Sequence, residues 1–247
     1  MADVISSNNE GEGCSTRNTR HGHKTIGTSS NKQTDALATT NALSRCNHSY
    51  FKNIIQSLDQ RRKDVRYYGF PILLEFDCCS VPRNFVEWIA DHIDENCMDI
   101  HASAKIIPIT PLSIHKALGL HLGGPDIGKT GESGKEDFLK LFEVDEIPSI
   151  KTFGSMITSN KEMSDEQFFW CFMVVALSCF LCPNSSTKPS PKYFKPLVDL
   201  VMVGSWDWSK FIFDWLVTSI KKYKKRKHTL GGCIYFLAAY RIHHTKD

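Results

Sequence analysis

The chain has 247 residues, of which 41% are hydrophobic and 11% aromatic, so it is long and apolar enough to bury one substantial core. Its formal net charge of +3 is unremarkable and points to no particular class of partner. The first residues, MADVISSNNEGEG, have neither a basic flank nor an apolar stretch, which excludes a recognisable secretory signal. We therefore expect a reducing compartment, in which the nine cysteines remain thiols.

Residues 1–47 are rich in Ser, Thr, Asn and Gly, contain no aromatic residue and show no apolar periodicity. Such a segment buries too little apolar surface to offset the entropy that ordering would cost, so we predict a disordered tail. Residues 48–247 then form the folded part. We predict one mainly α domain, built around a central apolar helix and with room for a small β-hairpin.

The first helix is predicted over residues 50–62, where apolar residues recur at helical spacing. Residues 71–77 form a short apolar run that fits a strand or a buried helical turn, and periodicity does not separate the two. We expect Ser80 to cap the next helix and place Asp94 and Glu95 on its exposed face.

β-branched residues at both ends of 98–109 predict a two-stranded hairpin. Thr110, followed by a proline, opens another helix, which Gly119 closes. After a glycine-rich acidic loop we predict a helix over residues 135–142 and partly helical structure over 147–159.

The longest apolar segment lies at residues 164–182, and Ser164 with Gln167 forms a capping-box pattern at its start. From residue 168 onward only Ser178 is frankly polar, so this helix has no solvent-facing side. Fifteen residues at about 1.5 Å each span roughly 22 Å, which is short of the roughly 30 Å hydrocarbon layer of a bilayer. We therefore predict a central core helix rather than a membrane span.

A proline-punctuated, extended connector is predicted after this helix, over residues 183–197. Ser205 is expected to cap a long amphipathic helix, on which Lys210 and Asp214 are spaced to form an ion pair. Two glycines end this part of the chain, and a final apolar helix follows them.

The segment from Gly123 to Thr130 reads GGPDIGKT, which fits the G-x-x-x-x-G-K-[ST] pattern of a phosphate-binding P-loop. In a true P-loop the glycine amides, here including Gly128, surround the phosphates, Lys129 reaches the outer phosphates, and the Thr130 hydroxyl binds magnesium. The context disagrees, because a helix rather than a strand precedes the motif and Pro125 interrupts it. Nucleotide binding therefore remains the alternative function.

Other signatures of catalysis or metal binding are weak. Cys179 and Cys182 form a CxxC pair at the C-terminal end of the central helix, where the dipole disfavours a thiolate. No second CxxC and no histidine pair has zinc spacing. We predict buried structural thiols, no metal, no cofactor, no catalytic residues and therefore no enzyme activity.

Charge is distributed unevenly along the chain. Residues 126–147 hold seven acidic and three basic side chains, whereas residues 210–247 hold nine basic and two acidic ones. Six of these bases lie within seven residues at the end of the long helix: Lys221, Lys222, Lys224, Lys225, Arg226 and Lys227. Such a run is typical of a nuclear-import signal or of a surface that contacts nucleic-acid phosphates.

From the first helix onward the chain resembles the plant mobile domain family, also labelled aminotransferase-like plant mobile domain. The motifs that carry this resemblance are FFWCFMVVALSCFLCPNSSTKPSPKYF, the helix start WDWSKF, the turn LGGC and the segment LGLHLGG. The last of these would account for Gly123 and Gly124 without a nucleotide. The chain stops soon after LGGC, so the resemblance implies a C-terminally truncated copy. The aminotransferase label would imply a lysine Schiff base with pyridoxal phosphate, but no lysine here stands in a supporting context.

The resemblance implies a helical, transposon-related plant domain with nuclear roles in transposon silencing, genome stability and meristem maintenance. Together with the basic run, it leads us to expect a non-enzymatic nuclear interaction domain. We expect other nuclear proteins as partners, with nucleic acid as a second candidate and no membrane. The residues do not indicate an oligomeric state.

Overall fold

The computed structural model describes residues 47–77, 81–102, 105–159, 162–226 and 230–244. These residues are mainly helical and include one small antiparallel sheet, which confirms the predicted fold class. The predicted tail lies outside the described residues, apart from its last residue, Asn47.

Ten α-helices and two strands make up the described part of the chain. The elements before the core helix are α1 (His48–Gln56), α2 (Arg62–Tyr67), α3 (Arg83–His92), β1 (Asp99–Ala102), β2 (Lys105–Pro108), α4 (Pro111–Leu118), α5 (Lys135–Leu141) and α6 (Ile150–Thr158). The core helix and those after it are α7 (Asp165–Ala176), α8 (Phe194–Val198), α9 (Trp208–Arg226) and α10 (Ile234–His244). Short 3₁₀ helices cover Pro71–Glu75, Ile127–Thr130, Pro191–Tyr193 and Val203–Ser205.

Side-chain caps fix where several helices begin. The Ser164 hydroxyl accepts a hydrogen bond from the Gln167 amide at 3.1 Å, and the Gln167 side chain accepts one from the Ser164 amide at 3.2 Å. Thr110 forms the same reciprocal box with Ser113 at the start of α4. Gly119 ends α4 in the left-handed conformation, with φ of 59°. These starts and this end confirm predictions made from local sequence.

Two predicted boundaries are wrong. The cap of α9 is Asp207, whose carboxylate accepts a hydrogen bond from the Lys210 amide at 3.0 Å, because Ser205 already belongs to the preceding 3₁₀ turn. Ser80 lies outside the described residues, and α3 begins at Arg83 with Pro82 as its N-cap.

The C-terminal end of α3 also differs from the prediction. This helix ends at His92, so Asp94 and Glu95 lie in the following turn rather than on a helix face. Ile93 forms a β-bridge with Ile100, which pulls the chain out of the helix and toward β1. A non-local backbone pairing of this kind leaves no local sequence signal.

The hairpin and the ambiguous apolar run both pack their apolar side inward. β1 and β2 pair Ile100 with Ile107, which are buried, and His101 with Ile106, which are exposed. The apolar run adopts the helical one of the two conformations, as the 3₁₀ turn Pro71–Glu75.

The core is organised around α7, whose residues from Phe168 to Ala176 are all buried. The helix continues as a π-helical segment, Leu177–Leu181, which is closed by a hydrogen bond from the Cys182 amide to the Leu177 carbonyl at 2.7 Å. Helices α2 and α6 pack against α7, while α1 packs against the π-helical segment. Complete burial confirms the predicted central helix, and no helix among the described residues is long and apolar enough to cross a membrane.

One polar contact in this core holds the connector that follows it. The hydroxyls of Ser178 and Tyr193 lie 2.6 Å apart, and the Tyr193 oxygen accepts a hydrogen bond from the Ser190 amide at 3.0 Å. Tyr193 is fully buried, and this desolvation raises the pKa of its phenol above its usual range. The only frankly polar side chain of the apolar segment therefore fixes the connector against the core.

Replacing Leu177 with Asp should prevent soluble expression. Leu177 is completely buried, so the new carboxylate would have no water and would cost several kcal/mol against a typical total stability of about 5 to 15 kcal/mol. Glu166→Gln, on the exposed first turn of α7, is the control and should lower stability by less than about 1 kcal/mol. Soluble yield and urea unfolding measure both effects. A folded, soluble Leu177→Asp protein would show that this helix is not the core.

His48, the first residue of α1, is a buried ionisable group in an aromatic environment. Its ring stacks on Phe76 at 5.9 Å and meets the edge of Phe180 at 6.3 Å. Its Nε2 atom has no hydrogen-bond partner among the described residues. Desolvation lowers the pKa of His48 from 6.5 to about 4, because a charged imidazolium would be poorly solvated here.

His48 should make folding sensitive to mild acid. In the unfolded chain its imidazole takes up a proton below about pH 6.5, whereas in the native state it does so only near pH 4, so acid favours unfolding between these values. The loss amounts to at most about 3 kcal/mol across that window. We expect His48→Phe to reduce the difference between urea-unfolding free energies at pH 7 and pH 4.5, and the exposed control His121→Gln to leave it unchanged. An undiminished pH dependence in His48→Phe would contradict this account.

Candidate functional site

The segment with the P-loop pattern does not adopt P-loop architecture. It follows α4, and its second half, Ile127–Thr130, is a 3₁₀ helix. The described sheet consists of β1 and β2 alone, so no described strand leads into the motif.

The polar groups of this segment satisfy one another. The Gly128 amide donates a hydrogen bond to the Asp126 carboxylate at 2.9 Å, and the Thr130 hydroxyl donates one to the Ile127 carbonyl at 2.8 Å. Lys129 is exposed. A carboxylate thus occupies the position next to Gly128 where a phosphate would need to bind, and the geometry gives the nucleotide alternative no support.

Packing explains why Gly124 is a glycine. Its φ is +83°, and a Cβ atom here would lie 2.0 Å from the Ser205 carbonyl oxygen. The same loop is joined to the start of α9 by hydrogen bonds from the Asp207 amide to the Pro125 carbonyl and from the Ser209 hydroxyl to the Leu120 carbonyl. The loop is therefore a packed support for α9.

Lys210 completes this junction. Its ammonium lies 3.2 Å from Asp126 and also pairs with Asp214 one turn along α9, as the sequence predicted. The Asp214 hydrogen bond in particular raises the pKa of Lys210. Burial opposes ionisation of Asp126, but hydrogen bonds from Lys210 and the Gly128 amide outweigh it and lower the pKa of Asp126. Lys210 is thus neutralised by contacts within the protein.

A cleft of about 770 Å³ lies between the connector and α9. Its walls include the aromatic rings of Phe211 and Trp215, and the Trp215 indole donates a hydrogen bond to the Pro183 carbonyl at 3.3 Å. Four lysines line it, Lys188, Lys192, Lys210 and Lys222, together with Asp126 and Asp214, which both pair with Lys210. The cleft therefore combines the positive charges of Lys192 and Lys222 with the partly exposed ring of Trp215.

The basic run forms the wall of a second concavity, of about 700 Å³, which is lined by Lys221, Lys222, Lys224 and Lys225 together with Thr218, Glu95 and Asn96. Tyr223 is only 6% exposed and anchors this part of α9 to the core. The Lys224 ammonium donates a hydrogen bond to the Asp91 carbonyl of α3 at 3.1 Å. Residues 221–226 of the run thus belong to a folded helix.

Lys222 and Thr218 line both concavities, so the two adjoin along α9. We call the four exposed lysines around this junction the lysine face: Lys192, Lys221, Lys222 and Lys225. Among the described residues, no carboxylate lies within ion-pair distance of these four. Their charges remain available to an external anion.

The sequence identified only part of this surface. The side chain of Arg226 and the whole of Lys227 lie outside what the structure describes. Lys192 was missed, because it precedes the basic run by about thirty residues and joins it only through the fold. The proline-punctuated connector was the one feature of the sequence that marked the region of Lys192.

The CxxC cysteines occupy the predicted environment. Cys179 and Cys182 are 5% and 0% exposed and are thiols in this structure. Cys171 lies on α7, about two turns before Cys179, and desolvation raises the pKa of its thiol to about 12. Thiols of this kind are poor nucleophiles at neutral pH.

A model of a protein family described as a domain of unknown function, DUF8566, matches residues 44–238. Comparison with curated proteins found no significant match. Comparison with solved structures found none either.

The resemblance to the plant mobile domain family is therefore wrong, since the family model that matches is a different one. The short glycine motifs that suggested the resemblance are explained here by close packing, which any helical domain could require. Gly124 approaches the Ser205 carbonyl, and Gly232, with φ of +89°, would place a Cβ atom 2.8 Å from Leu216. The match spans most of the chain, which therefore belongs to the DUF8566 family, a domain of unknown function.

Proposed function

We propose that this chain is a non-enzymatic nuclear interaction domain whose lysine face binds the phosphate backbone of nucleic acid. The observation that carries this proposal is that two concavities meet at Lys222, so the lysines of the connector and of the basic run form one positive surface. The links to transposon silencing and meristem maintenance depended on a resemblance that the family match overturns, so they form no part of the proposal.

The pairing of individual lysines supports an external anionic partner. Lys210 is neutralised by ion pairs with Asp126 and Asp214. The Lys188 ammonium forms an ion pair with the Glu146 carboxylate at 2.6 Å. The lysine face has no such described partners. Cations near a helix C-terminus complement the dipole, but that effect is confined to the last turn and does not require Lys192 or Lys221. Phosphate binding accounts for all four charges.

The aromatic lining favours single-stranded nucleic acid over a duplex. Trp215 lines the same cleft as Lys192 and Lys222 and is partly exposed, whereas Phe211, whose ring lies 6.0 Å away, is 5% exposed and supports the Trp215 ring from the core. Unpaired bases stack on aromatic rings while the backbone follows a positive groove. A duplex, whose bases are already stacked, gains nothing from the Trp215 ring.

A non-enzymatic role is consistent with the chemistry of the described residues. The buried thiols are unsuited to nucleophilic attack, as the raised pKa of Cys171 illustrates. The P-loop residues bind one another rather than leaving a phosphate site. We therefore propose binding alone, with nuclear proteins as further partners that co-purification would identify.

Charge reversal of the lysine face should abolish most nucleic-acid binding. We expect the triple variant Lys221→Glu, Lys222→Glu, Lys225→Glu to bind a fluorescent single-stranded oligonucleotide at least about tenfold more weakly and to reduce the slope of log K against log salt by about 2. Fluorescence anisotropy with single-stranded and duplex oligonucleotides at several salt concentrations measures both quantities. The matched control reverses three exposed lysines elsewhere: Lys116, Lys140 and Lys151. Equal losses in the two triple variants, or none in the first, would contradict the proposal.

Nuclear accumulation should depend on the end of the basic run. The chain is only 28.0 kDa, so it should be fused to a reporter too large to diffuse through nuclear pores. We expect the fusion to be nuclear, and alanine substitution of Lys224, Lys225, Arg226 and Lys227 to leave it in the cytosol. Alanine substitution of Lys116, Lys140 and Lys151 is the control. Imaging that shows the first variant still nuclear would remove the import role from this run.

A further inference from the structure

The turn that joins α3 to β1 brings together three side chains that commonly bind metal ions. They are Asp94, Cys97 and His101, and one donor atom of each lies within 4.8 Å of the donor atoms of the other two. Their spacing matches neither a CxxC nor a paired-histidine pattern, and Asp94 was predicted to lie on a helix.

Backbone contacts hold the turn in this shape. The Asp94 amide donates a hydrogen bond to the Asp99 carbonyl at 2.9 Å, and the Met98 amide donates one to the Asp94 carbonyl at 2.8 Å. Met98 has a left-handed backbone with φ of 61°, and its side chain is 4% exposed, so the core anchors the turn at its strained position. Asp94 and Cys97 therefore lie on a turn whose backbone conformation is fixed by hydrogen bonds and by the buried Met98 side chain.

The strand that follows supplies the third ligand. His101 lies on β1 between Ile100 and Ala102, which are both buried, so the pleat directs its imidazole outward. Pairing with β2 fixes that orientation. The ligands thus come from two adjoining elements, and both are held by backbone hydrogen bonds.

The donor set matches zinc better than a hard cation. One carboxylate oxygen, one sulfur and one imidazole nitrogen are all zinc ligands, whereas calcium and magnesium take oxygen ligands alone. Zinc bond lengths near 2.1 to 2.3 Å place tetrahedral ligands about 3.5 Å apart. The donors, now within 4.8 Å of one another, would have to move about 1 Å closer, which side-chain rotation at this exposed turn permits, and a water molecule would fill the fourth position.

We propose that Asp94, Cys97 and His101 form a zinc site with three protein ligands and one water. In this structure the Cys97 thiol forms a hydrogen bond with Asp99. Zinc binds the thiolate, so zinc binding would release the thiol proton of Cys97. This site is independent of the nucleic-acid proposal. Glu95 and Asn96 of the same turn line the second concavity, so zinc would stiffen the edge of that surface.

The site can be tested on the full chain with zinc and with cobalt as a spectroscopic substitute. We expect titration calorimetry to detect zinc binding at this site, and Co²⁺ to give a thiolate-to-cobalt charge-transfer band in the near ultraviolet. Cys97→Ser should remove that band, and both Asp94→Asn and His101→Gln should weaken zinc binding at least about tenfold. Asp94→Asn can keep the hydrogen bond that Asp94 accepts from the Asn96 amide at 2.8 Å, so it tests the ligand rather than the turn.

His92→Gln is the matched control, because His92 is an exposed histidine close to the turn but outside the ligand set. It should leave zinc affinity and the cobalt spectrum unchanged. Circular dichroism confirms that each variant is folded. The proposal is overturned if no zinc binds, if the cobalt band survives Cys97→Ser, or if His92→Gln weakens zinc binding as much as His101→Gln.

Discussion

The structure depends on one constraint: α7 is apolar on every side and must be covered on every side. From Phe168 to Ala176 all nine residues are buried, and the π-helical segment Leu177–Leu181 extends the buried run. A helix without a polar, solvent-exposed face cannot lie on the protein surface, so other elements must surround it. Helices α2 and α6 pack against it, α1 covers the π-helical segment, and the Trp170 indole donates a hydrogen bond to the Leu197 carbonyl of α8 at 2.7 Å.

This constraint also positions the candidate nucleic-acid surface. Phe70 contacts both Phe169 of α7 and Trp208 at the start of α9, at 5.7 Å in each case. The buried contact between Ser178 and Tyr193 holds the connector on the other side of the cleft. Lys192 lies on the connector and Lys222 lies on α9, so their approach to one cleft is a consequence of how both segments attach to the core.

Features set by neighbouring residues could be predicted from the sequence. The Ser164–Gln167 box, the Thr110 cap, the Gly119 end and the Lys210–Asp214 pair each involve residues at most a few positions apart. Amphipathic and apolar periodicity likewise identified α7, α9 and the hairpin. Features that depend on distant contacts were missed or misplaced. The Ile93–Ile100 bridge ended α3 early. Asp207 rather than Ser205 caps α9, and a hydrogen bond from the Asp207 amide to the distant Pro125 carbonyl holds this helix start.

The candidate sites show the same division. The basic run on α9 is visible in one stretch of sequence, whereas Lys192 and the ligand set of Asp94, Cys97 and His101 become neighbours only in the fold. Short motifs were also misleading. The G-x-x-x-x-G-K-T pattern and the glycine turns arise here from a tight loop and close packing, with Asp126 capping the Gly128 amide.

Native-state hydrogen exchange tests the central role of α7 most directly. Amides from Phe169 to Ala176 should exchange only through global unfolding, so their opening free energies should equal the unfolding free energy measured with urea. The C-terminal turn of α9, which carries exposed lysines, should open at lower free energy. If the α7 amides exchanged through local opening at free energies well below the global value, the rest of the fold would not depend on this helix.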